Sequence, residues 1–320
     1  MRLINVQTGR LEEFHSNTPS YAILSHTWGQ DHEEISFQDM QHESSFQRRF
    51  GIKLDGLCKQ ARSDGHRYVW IDTCCIDKSN SVELGEAINS MFRWYRESTI
   101  CYVYLADVAG RNGEVNLDQL HRSRWFTRGW TLQELLAPRR LRFYNCDWCL
   151  LGERHELAEA IRSITGIPYG ILLGFDDLSN ASIAQRMSWA AKRVTKRKED
   201  LAYCLLGIFD VMMPMIYGEG EHAFIRLQEE IIKKTVDDSI LAWAMSPDLD
   251  DGIETQNTDI NLFGNALATS PAAFMHSGNI VAVGNGDSTI EGLETARGCL
   301  PLRLRLTNSE TGHAIGFLSC

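Results

Sequence analysis

The chain reads as an α/β protein. It predicts a parallel sheet with helices on both faces over residues 1–150, a helical part over 151–244 and a β-rich C-terminal segment over 245–320. Three observations carry this. Four short, nearly continuous apolar runs, Tyr21–Ser25, Tyr68–Asp72, Cys101–Asp107 and Leu141–Asn145, have the character of strands covered on both faces. Helical patterns lie between them, and alternation at this pitch is how parallel sheets are connected. From about residue 154 the period becomes helical, and after about 245 Gly, Asn, Asp and Thr dominate, with short β-like runs.

The elements follow in order. Lys53–Ser63 carries Leu54, Leu57 and Ala61 at helical spacing, and Glu83–Glu97 carries Ala87, Met91 and Trp94/Tyr95. Asn80 with Glu83 reads as a capping box for the second of these. A helix start near Thr131 places Glu134 in its first turn, among Leu132, Leu135 and Leu136. His155–Thr165 is a short helix. Ser182 with Gln185 makes another capping box, opening a helix that runs through about Arg197. Glu199–Phe209 is apolar enough to be buried, and Arg186, Arg193, Arg197, Glu199 and Asp200 read as ion pairs that dock helices. Pro214 and the YGEGE turn break the chain before Ala223–Lys234, where Phe224, Leu227 and Ile231 share one face. Beyond a loop at Ser246–Asp259, Asn279–Val283 and Leu302–Leu306 are β-like, and the chain stops at Cys320 in an apolar run, as if inside a module.

Composition narrows the function. With 320 residues, 43% hydrophobic and 23% charged, the chain has ample material for a core. A net charge of −10 argues against a broad nucleic-acid or anionic-membrane footprint. No apolar run approaches a membrane span, and the start lacks the apolar core of a secretory signal. The nine cysteines are scattered and odd in number, which fits reduced thiols and a cytoplasmic location.

Three strands end in polar residues: Ser25 and His26, then Asp72, then Asp107. Ligands of open parallel sheets bind outside the carboxyl ends of the strands, so these positions border any cleft. In SHTWG, Gly29 gives a flexible turn beside Trp28; turn hydrogen bonding and packing are the plainer roles for these residues. Cys74 and Cys75 in IDTCCID would need a base such as His26 to act as nucleophiles, and buried packing is the simpler reading. Asp72 with Asp77 is a thin basis for a cation site, and the Cys146/Cys149 pair has no partner pair for zinc. No metal site is expected. No GxxxxGK[ST] loop or GxGxxG after a strand is present. Glu134 alone reads as a solvated first-turn acid favoured by the helix dipole.

Taken in order, YAILSHTWG, YVWIDTCCIDK, MFRWYRES, CYVYLADV, SRWFTRGWTLQELLAPRRLRFY, RMSWAAKRVTKRKEDLAYCLLGIFDVMMPMIYGEGEHAFIRLQEEI and DDSILAW resemble the fungal heterokaryon-incompatibility (HET) domain over about residues 1–243. The LATSPAAF tail looks like the β-rich extension that often follows it. The resemblance implies a role in non-self recognition and cell death, with self-association and an unidentified recognition partner. The order of elements also resembles the Toll/interleukin receptor (TIR) domain, a flavodoxin-like α/β fold. In plant-type TIR sequences a strand ending in Ser opens the domain, and a phrase close to S-x-W-C-L-x-E-L supplies the catalytic Glu of an NAD hydrolase. SRWFTRGWTLQEL resembles an expanded version, with Trp130-Thr131 where Trp-Cys would stand and a longer loop before it. That resemblance implies Glu134 as the catalytic residue. It also implies Ser25 as the strand-end residue of the site, and NAD as a substrate rather than a cofactor. With that substrate, the strand-end residues Ser25, His26 and Asp72, with Gly29 and the rings of Trp28 and Trp130, form the candidate substrate-binding set. Two other readings stay open: a non-enzymatic self-associating signalling module, and a cysteine-dependent hydrolase built on Cys74 or Cys75 with His26.

Overall fold

The computed structural model describes residues 1–41, 51–110, 116–243, 266–281, 305–308 and 314–317. The chain divides into two compact units, Met1–Asp176 and Asp177–Cys320. The first unit opens with a hairpin, β1 (Arg2–Asn5) and β2 (Leu11–Glu13), followed by β3 (Ala22–His26), α1 (Phe37–Gln41), α2 (Ile52–Ser63) and β4 (Tyr68–Trp70). Then come α3 (Asp72–Cys75), α4 (Ser81–Glu97), β5 (Ile100–Tyr104), α5 (Leu117–Arg122), a 3-10 turn at Arg124–Thr127 and α6 (Thr131–Leu136). The strands β6 (Leu141–Tyr144) and β7 (Leu150–Glu153) and the helices α7 (Ala158–Thr165) and α8 (Tyr169–Leu173) complete it.

The seven strands form one sheet in the order β2-β1-β4-β3-β5-β6-β7. The four expected strands are its parallel core, since β3 pairs in parallel with β4 and β5, and β5 with β6. The sheet is mixed, because β1 lies antiparallel beside β4 and β7 antiparallel beside β6. The antiparallel strands β1, β2 and β7 are three or four residues long, too short to show a period of two in the sequence. Counted by position in the chain, the parallel core runs 2-1-3-4, the beginning of the flavodoxin-like order. The connection after β3 leads to β4 on one side and the connection after β5 leads to β6 on the other, so the carboxyl ends of β3 and β5 flank a topological switch point.

Helices cover both faces, and the side-chain alternation of β3 separates them. Ser25, Val103 and Phe143 are neighbours in register on one face, whereas His26, Tyr104 and Tyr144 are neighbours on the other. The Ser25 face also carries Ile23 and its register partner Trp70, which packs edge-on against Tyr95 of α4 at 5.9 Å. Trp125 packs on Phe143 of the same face at 5.8 Å. On the opposite face Tyr104 stacks on Trp148 at 5.1 Å, and the Trp148 indole donates to the Ile52 carbonyl at the start of α2. All five residues of β3 are buried, as a strand covered on both sides requires.

The expected cap of α4 is half present. Asn80 Oδ1 accepts from the N–H groups of Val82 and Glu83, but the Glu83 carboxylate is drawn away to Arg2 and to the Asp77 N–H. The Ser182–Gln185 box is complete in both directions.

The second unit contains α9 (Ile183–Ser188), α10 (Asp200–Tyr203), α11 (His222–Ile232) and a hairpin of β8 (Arg305–Asn308) with β9 (Ala314–Phe317). The helix expected to reach Arg197 ends at Ser188 and continues as turns. Leu201–Phe209 supplies the buried apolar residues anticipated, including Leu205, Leu206 and Phe209. Phe224, Leu227 and Ile231 form the buried face of α11. Arg186 and Arg197 do not simply pair with acids: Arg186 donates to the Ile208 carbonyl and lies over Phe209, and Arg197 lies over Tyr217. In the YGEGE turn the N–H groups of Gly218 and Gly220 both donate to Glu199 Oε1, at 2.8 and 3.1 Å. Gly218 has φ +107°, a conformation that favours glycine. The segment around Ala268 is tied to α11 by a reciprocal buried pair, Gln228 Nε2 to the Ala268 carbonyl and Ala268 N–H to Gln228 Oε1. Of the β-like run at 279–283, residues 279–281 form no strand; 282–283, like the loop expected at 246–259, lie outside the described residues. Of the run at 302–306, residues 302–304 also lie outside them, and Arg305 and Leu306 begin β8. Among the described residues no helix is long and apolar enough to cross a membrane.

Candidate functional site

Glu134 is not a solvated cap. It is 7% exposed, and its side chain leaves α6 for the carboxyl end of β3. Ser25 Oγ donates to Glu134 Oε2 at 2.5 Å, and the Trp125 indole N–H donates to the same Ser25 oxygen at 2.8 Å. An indole only donates, so Ser25 accepts from Trp125 and its single proton is directed at Glu134, which acts as acceptor. The chain builds this arrangement locally. Ser123 Oγ accepts from the Trp125 N–H to start the 3-10 turn, and Thr131 Oγ1 donates to the Trp125 carbonyl at 2.5 Å, fastening that turn to α6. Burial, and then the nearby Glu134 charge, push the Tyr95 hydroxyl and the Cys101 thiol well up from their ordinary values. The Tyr95 hydroxyl also donates to the Leu24 carbonyl at 2.9 Å.

His26, one residue after Ser25, belongs to a second cluster because consecutive strand residues face opposite ways. His26 Nε2 lies 3.1 Å from Asp72 Oδ1, and the Trp28 indole N–H donates to Asp72 Oδ2 at 2.9 Å. Lys78 Nζ sits 3.4 Å from Asp72 Oδ2 and 3.7 Å from the centre of the Trp28 ring. Burial opposes ionisation of Asp72, but Lys78 and the hydrogen bond with His26 outweigh it and hold the carboxyl well below the usual range. An ionised Asp72 accepts, so His26 Nε2 carries the proton it donates. His26 Nδ1 is buried without a hydrogen-bond partner, with Glu34 Oε2 3.9 Å away. Glu34 is in turn paired with Lys53, which donates to the Thr27 carbonyl.

The structure therefore divides the anticipated residues. Ser25 and Glu134 meet; His26, Trp28 and Asp72 meet at the same strand ends but in a separate hydrogen-bonded group. The Tyr95 hydroxyl is within electrostatic reach of both carboxylates, Glu134 and Asp72. Gly29 donates its N–H to Glu34 Oε1, and the space beside its Cα is filled by the tip of the flexible Glu33 side chain. Trp130 is half-buried at the start of α6. Asp107 accepts from the Ser123 hydroxyl and from the Arg124 N–H, at 2.8 and 2.7 Å. The structure places four residues that the sequence did not single out as functional at this end of the sheet: Trp125, Tyr95, Lys78 and Arg124. Only the two tryptophans in SRWFTRGW offered a signal for any of them.

The thiols stand apart from this chemistry. The seven cysteines among the described residues are free. Burial pushes Cys75 up to about 12 and holds Cys74 well above its ordinary value, and the Cys74 thiol donates to the Ile35 carbonyl. A buried thiol with a raised pKa is a poor nucleophile.

Comparison with known proteins bears on this arrangement. Residues 21–124, which run from β3 to the Ser123–Arg124 junction, match the family model described as heterokaryon incompatibility protein (HET). Residues 222–304 match a domain of unknown function, DUF8212. The chain is 49% identical over 230 residues, 70% of its length, to the vegetative incompatibility protein HET-E-1 of Podospora anserina, and spans 17% of that relative. No solved structure matches it. The chain is a heterokaryon-incompatibility (HET) domain protein.

Proposed function

We propose that the chain is the effector part of a fungal incompatibility response, acting in the cytoplasm, and that it cleaves the nicotinamide–ribose bond of NAD with Glu134 as the catalytic carboxylate. The observation that carries the reading is the Ser25–Glu134 hydrogen bond at the carboxyl end of β3, the switch point where open α/β sheets take ligands. The chemistry suits one carboxylate. Nicotinamide leaves a cationic pyridinium as a neutral molecule, so no general acid is needed. The oxocarbenium-like transition state is stabilised by a fixed negative charge, as in glycoside hydrolysis. Ser25 and Trp125 hold that charge in one orientation, and burial strengthens its field. The 2-1-3-4 strand order of the parallel core supports the TIR resemblance on which the assignment of Glu134 rests.

The burial of Glu134 favours a second reading, in which it only fastens α6 to β3 within a self-associating signalling module. One experiment separates the two. The purified chain is incubated with NAD at high, assembly-promoting concentration and nicotinamide release is measured, with Glu134→Ala in parallel. Release that disappears in the variant supports hydrolysis. No release from the unmodified chain overturns it, and equal release from both removes the role of Glu134.

A further inference from the structure

Two cations touch Trp28, and both have hydrogen-bonding capacity to spare. Lys78 follows α3, at the carboxyl end of β4, and covers the indole ring at 3.7 Å while its ammonium stands 3.4 Å from Asp72. Arg124 follows β5 by way of α5. Its backbone is pinned by Asp107, and among the described residues its guanidinium makes one long contact, 3.4 Å, to the Trp28 carbonyl. An ammonium has three donors and a guanidinium five, so most of this capacity faces water. The indole N–H is anchored on Asp72, which fixes the ring while both cationic chains remain exposed. In a chain of net charge −10, two under-used cations on one aromatic residue at the switch point are not explained by general charge balance. Lys78 pairs with Asp72 at 3.4 Å from a partly exposed position, and Arg124 makes no ion pair among the described residues, so stability alone is a weak reason to hold either cation there.

We propose that Lys78 and Arg124 together bind the diphosphate of a dinucleotide, with the Trp28 ring as the platform beside it. The inference rests on the NAD reading above and assigns the recognition half of that site. Arg124 supplies the planar fork that matches phosphate oxygens, and Lys78 a mobile point charge. Moving the Lys78 ammonium from the ring to a phosphate uncovers one indole face for a stacked base.

The test is equilibrium binding by titration calorimetry on the full chain, using ligands that need no turnover. ADP-ribose carries the diphosphate, adenosine lacks it, and inorganic pyrophosphate isolates it. The expected result is that ADP-ribose binds, that pyrophosphate competes, that added salt weakens binding and that adenosine binds far more weakly. Lys78→Ala and Arg124→Ala should each weaken ADP-ribose about tenfold without changing the circular dichroism spectrum. Failure of ADP-ribose to bind, or equal binding by the variants, overturns the proposal. ADP-ribose binding that depends on both cations, with no nicotinamide release from NAD, would leave this site standing and remove the hydrolase reading. Nicotinamide release indifferent to both substitutions would do the reverse.

Discussion

Ser25 and Glu134, 109 residues apart in the chain, are joined by a 2.5 Å hydrogen bond whose direction is set by a third residue, Trp125. The indole N–H occupies an acceptor position on the serine oxygen, and the serine proton is left for the carboxylate. This relation holds the Glu134 carboxyl in one place at the switch point, unlike a mobile surface acid, and it underlies the first two predictions.

Glu134→Gln preserves the size of the side chain and an oxygen able to accept from Ser25, so the fold should be retained. Nicotinamide release should fall by about a hundredfold or more, the scale of losing a preorganised charge at a transition state. Chromatographic assay of NAD cleavage alongside thermal unfolding checks both halves.

Trp125→Phe removes the only donor of that side chain and leaves most of its apolar surface. Ser25 is then free to turn its proton elsewhere, and a buried acceptor loses its partner at a cost of about 1–3 kcal/mol. The unfolding midpoint in urea should drop accordingly. A positioning role predicts that kcat falls while KM for NAD changes little; a purely structural role predicts lower stability with unchanged kcat.

Asp72→Asn tests the second cluster through pH. The folded carboxyl titrates below an unfolded aspartate, so its stabilising contribution is complete above about pH 4 and is lost as pH falls toward the folded value. The variant should therefore melt at lower temperature than the unmodified chain at pH 7, with the gap narrowing below about pH 4. A gap independent of pH would mean that Asp72 acts through shape and not through its charge.

Glu199→Ala in the second unit leaves the N–H groups of Gly218 and Gly220 without their shared acceptor, for a loss of about 1–3 kcal/mol. Glu199→Gln keeps an acceptor oxygen and should recover part of that loss. Hydrogen exchange at the two glycine amides, followed in both variants, reports the change at its source.

Much of the first unit was legible because its signals are local. Tyr68–Asp72 and Cys101–Asp107 are apolar runs of the length of buried strands, and the period of α2 and α4 is carried by Leu54, Leu57, Ala87 and Met91. The Ser182 cap was readable for the same reason, since both partners lie within four residues. Glu83 shows where such reading stops: its spacing from Asn80 fits a box, but Arg2, 81 residues away, competes for its carboxylate and wins. The hairpin of β1 and β2 was invisible because its strands are too short to carry a pattern.

The residues by themselves determined the parallel core, its helices and the family, since each depends on patterns and motifs contiguous in the chain. They also brought Glu134 and the strand-end residues forward as candidates, through likeness to known sequences. Only the tertiary structure decided which of those candidates meet. Ser25 and His26 are adjacent in sequence, yet strand alternation sends one to Glu134 and Trp125 and the other to Asp72. The crossing of the chain over β3 then brings Lys78 and Arg124 onto Trp28. Hydrogen bonds between distant residues have no local period, so their pairing becomes fixed when the strands take their order and register.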